Sequence, residues 1–314
     1  MKQVDLSRIR VNSIRGRKSK VGREQLAVSL ESKGLAAFAD SLPDVLRAHD
    51  LRALTTAMVT ARRNNKPILW MFGAHVIKVG LAPVLCEIMQ KGFAQQISTN
   101  NAGLIHDLEL AFFGTTSEDV EAAITEGQFG MTRETGELYA DILALADEYG
   151  IGLGEAAGKL INSRKAKYRG ASVLATAQRL KIPATVHAAI GTDVVNAHSG
   201  YDGAKAGAAS QIDFRIFCES VRWLKNGGVA LNFGSAVILP EVFLKAIAIA
   251  RNLDRKFTKF TTANFDMINL YRPHNNLVKR PRLLGATAYD FAGHHEIMLP
   301  LIWAVVCDRL KMRR

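Results

Sequence analysis

Six short stretches of this chain hold residue types able to do chemistry, and each follows an apolar run. They are GAHVIKVG (73–80), TNNAGLIHD (99–107), GTDVVNAH (191–198), GSAVILPE (234–241), ANFDM (263–267) and AGHHE (292–296). A glycine opening a helix lets backbone N–H groups approach a phosphate with no Cβ in the way. On that ground Asn100, Asn101, Ala102, Gly103, His106 and Asp107 form a candidate ligand loop, with a plain helix start as the other reading. A carboxylate at a dry strand end is costly unless a cation pairs with it. Asp193 and Asp266, with His198 and Glu296 beside them, are therefore candidates for holding a cationic group, although Asp193 could equally cap a helix. Glu241, His294 and His295 are the candidates for moving protons. Glu241 could also sit in a helix first turn, where the macrodipole favours a carboxylate. His187, on a strand, reads as a hydrogen-bonded core histidine.

Two motifs are set aside by spacing. His294 and His295 are neighbours on one helix, so their side chains diverge by about 100°. No H-E-x-x-H accompanies them. A composite metal site with Asp193, His198 and Asp266 is conceivable, but a polar site without metal is expected. GIGLGEAAG (150–158) follows a helical stretch and lacks the G-x-G-x-x-G spacing, so its glycines end one helix and begin another.

The elements that must position these residues alternate along the chain. Short apolar runs at 67–72, 94–99, 184–189, 228–233, 258–264 and 285–291 read as strands. Helical periodicity covers 42–63, 79–92, 100–114, 205–225, 238–252 and about 294–311. A further block of helices lies near 133–149, 153–163 and 170–180, preceded by one capped by Thr116 or Ser117. Apolar strands separated by helices imply an α/β fold, a doubly wound, mostly parallel sheet with helices on both faces. A basic arm is expected at 1–40, then one α/β domain over 41–314 with a helical insertion at about 115–180. Ligands of such sheets sit at the carboxyl ends of the strands, where all six stretches fall.

The net charge of +12 is distributed in blocks of opposite sign. Residues 107–155 hold 12 acids against Arg133 alone, while 159–181 hold seven basic residues and no acid. Alternating blocks suit complementary faces of a homo-oligomer better than one nucleic-acid stripe, so nucleic acid is not the expected partner. No apolar run reaches the length of a membrane span, and no membrane partner is expected. Three distant cysteines, Cys86, Cys218 and Cys307, read as reduced thiols of a cytoplasmic protein.

The C-terminal stretch reads TANFD (262–266), YRP (271–273), NLVKRP (276–281) and GHHEIMLPLI (293–302). It resembles the end of the deoxyhypusine synthase family: T-A-x-E-F-D, an R-P, a W-G-K with the reactive lysine, then A-D-A-x-x-x-F-P-L-L. TNNAGLIHDLEL is similar to that family's T-T-A-G-G-x-E-E-D loop, and IPATVHAAIGTDVVNAH to its I-P-V-x-x-P-A-L-T-D-G-S-x-G-D-M-I-F-F-H. The resemblance covers about 67–306. It implies a Rossmann-like fold, NAD at the 100–107 loop, and a cationic polyamine such as spermidine held through Asp193. It also implies a transferase passing an aminobutyl group, and a homotetramer. Two departures alter the chemistry. Leu239, Pro240 and Glu241 stand where the family has Lys-His-His, and the reactive-lysine position falls on Pro281, flanked by Lys279 and Arg282. An imine cannot be captured without a neutral amine nucleophile. The resemblance therefore implies aminobutyl transfer by an altered mechanism. Hydrolysis of a cationic amine or guanidine, or a non-catalytic scaffold, are the alternatives.

Overall fold

The computed structural model describes residues 34–311, so the expected basic arm lies outside the described residues as far as position 33. Six strands form one sheet: β1 (Ile68–Phe72), β2 (Gln96–Asn100), β3 (Ala184–His187), β4 (Val229–Phe233), β5 (Thr261–Asp266) and β6 (Thr287–Ala292). All pairings are parallel, in the order β3-β2-β1-β4-β5-β6. The order reverses between β1 and β4, which makes that gap the topological switch point. The six strands sit within a few residues of their expected positions.

The helices that cross between the strands cover both faces. Before β1 come α1 (Leu35–Ser41) and α2 (Leu46–Arg63); between β1 and β2 come α3 (Ala74–Lys78) and α4 (Ala82–Gln90). After β2 follow α5 (Asn101–Phe113), α6 (Val120–Thr125), α7 (Arg133–Tyr149), α8 (Leu153–Ser163) and α9 (Val173–Arg179). Next are α10 (Gly203–Arg222) and α11 (Ile238–Leu253). Then α12 (Tyr271–Pro273), a π-helical turn (His274–Lys279) and α13 (Arg280–Arg282) run on as one irregular segment before α14 (His295–Arg309).

Strand alternation sorts the core into two layers. Ile68, Trp70 and Phe72 point into the larger one, with side chains of α2, α4, α5, α7, α8, α9 and α14. Leu69 and Met71 point into the smaller one, with α10, α11 and Leu277. The helical block between 115 and 180 adds no strand, yet Leu138, Ile142, Ala157 and Ile161 belong to the larger core. On that same face Phe233, Phe265 and Phe291 stack almost parallel, at 4.3 and 4.7 Å between centroids. This row lies just below the carboxyl edge.

One row higher, β1 and β4 end in glycines. Gly73 N–H donates to Phe233 O at 2.9 Å, and a Cβ on Gly73 would land on the carbonyl of Gly234. Gly73 has an ordinary backbone, φ −82° and ψ 167°, so the demand for glycine is one of contact and not of conformation. Gly73→Ala is expected to lower stability by about 1–3 kcal/mol through overpacking, read as a lower urea midpoint with an unchanged slope.

Candidate functional site

β5 ends in Asp266, which is only 6% exposed. Its Oδ1 accepts from the Met267 N–H at 2.8 Å, while its Oδ2 is buried and has no hydrogen-bond partner. Burial raises its pKa above the usual carboxylate value. His295, in the first turn of α14, lies beside it against Gly234. Its Nε2 lies 3.3 Å from Phe265 O, and its Nδ1 is buried without a partner. A carbonyl can only accept, so Nε2 carries the proton and Nδ1 presents a bare lone pair. Burial lowers the His295 pKa, which keeps the ring neutral near pH 7. His75, in the turn after β1, stacks edge-on to His295 at 5.7 Å. Asp266, His295 and His75 are thus one cluster beside the switch point. A buried polar atom without a partner costs about 1–3 kcal/mol, and this cluster carries two of them.

A second polar group forms where β2 and β3 end. Asn100 caps α5 by accepting the Gly103 N–H at 3.0 Å. Gly103 must be glycine because a Cβ there would strike Thr99 Oγ1. Asn101 is buried; its Oδ1 accepts from Tyr139 O–H at 2.6 Å and its Nδ2 has no partner. Tyr139 and Tyr201 stack at 5.9 Å, and the Tyr201 hydroxyl is likewise unpartnered. Asp193 caps the short 3-10 turn Val194–Ala197 in a capping box with Asn196, and burial raises its pKa. Ala102 is only partly buried at the open side of this loop.

Several of the expected site residues turn elsewhere. Asp107 is not free for a ligand: its oxygens accept from Ser172 Oγ (2.6 Å), Val173 N–H (2.8 Å) and Leu174 N–H (3.1 Å), capping α9. His106 lies 2.7 Å from Thr116 Oγ1, which donates to Glu109; it faces the loop at 115–118. Thr116 therefore caps nothing; Asp119 caps the helix that follows, α6. His198 points its Nε2 at Gly130 O, 2.9 Å away, with its ring over Gly136. It ties the 191–202 loop to α7 and is not placed to hold a substrate. Glu241 stands in the first turn of α11, the second of its two expected readings. It hydrogen-bonds to Lys245, accepts from Asn276 Nδ2 at 3.1 Å and lies 3.5 Å from Arg272 Nε. These partners, Lys245 first, lower its pKa. His294 and Glu296 are exposed at the start of α14, 3.7 Å apart. The candidate residues thus divide among separate places, with Asp266 and His295 alone of them forming the cluster at the switch point.

Sequence reasoning did not single out His75, although its place directly after β1 was the available signal. It also missed a polar row on the smaller-core face. Asn232 Nδ2 donates to Asn264 Oδ1, Asn264 Nδ2 donates to Asp290 Oδ1, both at 2.9 Å, and Asp290 Oδ2 lies 2.7 Å from His274 Nδ1. The row also runs under the switch point, since Asn232 Nδ2 reaches Ser235 O at 3.1 Å. Pro281 is buried and Lys279 exposed. Among the described residues no three His, Cys, Asp or Glu side chains are grouped to hold a metal ion, and no helix is long and apolar enough to cross a membrane.

Fold and site together define a Rossmann-like α/β chain with its polar groups along the carboxyl edge of the sheet. Residues 52–140, from α2 into α7, match the arginine dihydrolase ArgZ-like C-terminal Rossmann-fold family. No curated protein matches the chain by sequence. Among solved structures, a conserved protein assigned to LOR/SDH from Methanococcus maripaludis S2 aligns at TM-score 0.50 and 15% identity. That alignment covers 92% of this chain and 74% of the other. AgrE, crystallised with L-arginine, aligns at TM-score 0.52 and 15% identity over 84% of this chain. The chain spans only 33% of AgrE. AgrE in a ternary complex with ornithine and NAD+ aligns at 0.50 and 14% identity, over 83% of this chain and 33% of AgrE. A protein assigned as a deoxyhypusine synthase from Entamoeba histolytica aligns at 0.43 and 13%, over 76% and 74%, too distant to carry an argument. These likenesses are of fold.

Proposed function

We propose that the chain binds NAD across the carboxyl edge of its sheet and oxidises a small cationic amine. The observation that carries this reading is the pair of buried, unpartnered atoms, Asp266 Oδ2 and His295 Nδ1, beside the switch point. The residues suit a dinucleotide in two respects. The strand order puts a switch point between β1 and β4, where ligands of such sheets bind, and both strands end there in glycines that let backbone and the His295 ring approach closely. The fold shared with AgrE, which was crystallised with ornithine and NAD+, supports the same reading.

NAD, when bound, supplies an acceptor for the hydride leaving the carbon next to the amine nitrogen. Asp266 offers its free oxygen to the ammonium group, and the positive charge restores the carboxylate that burial disfavours. His295 takes a proton from the nitrogen at Nδ1 and holds it as imidazolium, while its Nε2–H stays on Phe265 O. The imine that results is left for water or for a second amine. Pro281 stands where the family resemblance places a reactive lysine, so the chain does not capture the imine at that position. Lys279 is exposed, and Lys279→Ala is expected to change the rate by no more than about twofold.

Calorimetric titration of the full chain with NAD+ tests the first half of this reading, with a micromolar dissociation constant expected. Appearance of NADH absorbance with diamines, polyamines or basic amino acids tests the second. Release of urea or ammonia without NADH would instead identify a hydrolase. Absence of both nucleotide binding and turnover would leave a scaffold that kept the fold. The opposed charge blocks support a homo-oligomer, which light scattering would show as a mass well above 34.3 kDa.

A further inference from the structure

Where β3 ends, a cleft of about 360 Å³ opens between α10 and α11. Its walls are apolar: Ile190 from the loop after β3, Phe214 from α10, and Val237 and Ile238 from the turn after β4. Its polar lining is small and specific. His187 is 4% exposed and sits at the bottom, with Nε2 3.2 Å from Thr185 Oγ1. Thr185 spends its own proton on Ser98 Oγ, 2.9 Å away. With the Thr185 hydroxyl directed at Ser98 Oγ, the ring N–H sits on Nε2 and Nδ1 is left as an acceptor. That Nδ1 makes no hydrogen bond and belongs to a residue lining the cleft. Ser210 accepts the Ala188 N–H at 3.0 Å and keeps its hydroxyl proton to give. Gln211 adds an amide at the rim. Gly207 lines the same cleft, and a Cβ there would meet no atom within 4 Å.

We propose that this cleft takes the adenine ring of the dinucleotide, a proposal that rests on NAD being the ligand at the switch point. A slot with apolar walls suits a flat aromatic ring, and the polar groups match its edge. The exocyclic amine of adenine donates to His187 Nδ1, and a ring nitrogen accepts from Ser210 or Gln211. In this reading the nicotinamide end lies by Asp266 and His295, and β3, which carries His187, stands four strand spacings from β5, about 19 Å. An extended dinucleotide laid over the switch point puts its two rings on opposite sides in this way. Glu241 also lines the cleft, but Lys245 pairs with it, so its charge is balanced where the phosphates would pass.

The test measures AMP, nicotinamide mononucleotide and NAD+ binding to the full chain. In Gly207→Leu the new side chain enters open space, and leucine suits a helix better than glycine, so the melting temperature should not fall. AMP and NAD+ should weaken by about tenfold or more in that variant, with nicotinamide mononucleotide changed by less than about twofold. The wild type should also prefer AMP to IMP, whose ring presents an acceptor to His187, and His187→Leu should remove that preference. Unchanged AMP affinity in Gly207→Leu, or loss of nicotinamide mononucleotide in its place, rejects the adenine cleft while leaving NAD binding intact. NAD+ failing to bind the wild type rejects both.

Discussion

His295→Gln is expected to lower the rate of amine oxidation by a factor of about 10²–10⁴, the range supplied by a positioned general base. Glutamine can still reach Phe265 O with its amide, so the fold around Gly234 should survive, and an unchanged melting temperature would show that it does. The pH profile separates a base from a structural residue. Burial lowers the His295 pKa, so wild-type turnover should fall only as pH drops below 6.5, the usual histidine value. The variant should lose that limb altogether. Asp266→Asn should raise KM for the cationic substrate, since a neutral amide forfeits a charge-assisted contact of about 1.5–3 kcal/mol. The limb of the pH profile should remain in Asp266→Asn. A variant at His295 that keeps the wild-type rate would remove the base from the proposed chemistry.

The fold was legible because buried parallel strands are short apolar runs with clear punctuation. ILWMF and VALNF are bounded by Pro67, Gly73, Gly228 and Gly234, and both strands were placed within a residue or two. The ends of α7 and α8 were read correctly because Gly150 and Gly152 mark them, the first in the left-handed region at φ 61°. One helix was expected over 79–92. Instead Gly80, at φ 84°, separates α3 from α4, and α4 opens with proline in its first turn. The segment 271–282 was not read as helical, since Pro273 and Pro281 argue against a helix interior. It tolerates both by running short and by passing through a π-helical turn.

The site was legible only as far as position along the chain decides it. Each expected residue does lie just after a strand or in the next helix, but the partner that fixes its direction is far away in sequence. Asp107 turns inward because the start of α9, about 65 residues on, supplies three donors. Glu241 pairs with Lys245 one helical turn on, a contact the local spacing offers, but its further partners Arg272 and Asn276 are ones no local pattern links to it. His294 and His295 are adjacent, and the change from an extended N-cap to the first residue of α14 sends one to solvent and the other against Gly234. His187 was read as a core histidine, and it is one; the cleft that opens at its other nitrogen depends on α10 and α11.

The largest effect on stability is expected at a residue the sequence did not mark. Asp213, on α10, is fully buried; its Oδ2 accepts from Val186 N–H at 2.8 Å and Gly154 N–H at 3.0 Å. It thereby joins β3 to the first turn of α8, and Gly152 leaves room for its other oxygen, which has no partner. Asp213→Ala would leave two buried N–H groups unpaired, a loss of about 2–6 kcal/mol from donors worth about 1–3 each, a large share of a domain's stability. The pH dependence follows from its pKa, which burial raises to about 7. Raised above the unfolded value of 3.8, this group stabilises most at low pH, and that contribution is lost as pH climbs from about 4 through about 7. Asp107, raised by burial to about 6, acts in the same direction. His187 acts in the opposite one: burial lowers its pKa to about 3, so it costs stability as pH falls below 6.5. The difference between variant and wild type isolates the carboxylate. Asp213→Asn cannot ionise, so its urea midpoint relative to the wild type should rise from pH 5 to about pH 7 and level off by pH 8, whatever the histidine does. Parallel curves over that interval would mean that Asp213 stays charged in the folded protein, held by its two backbone donors against the cost of burial.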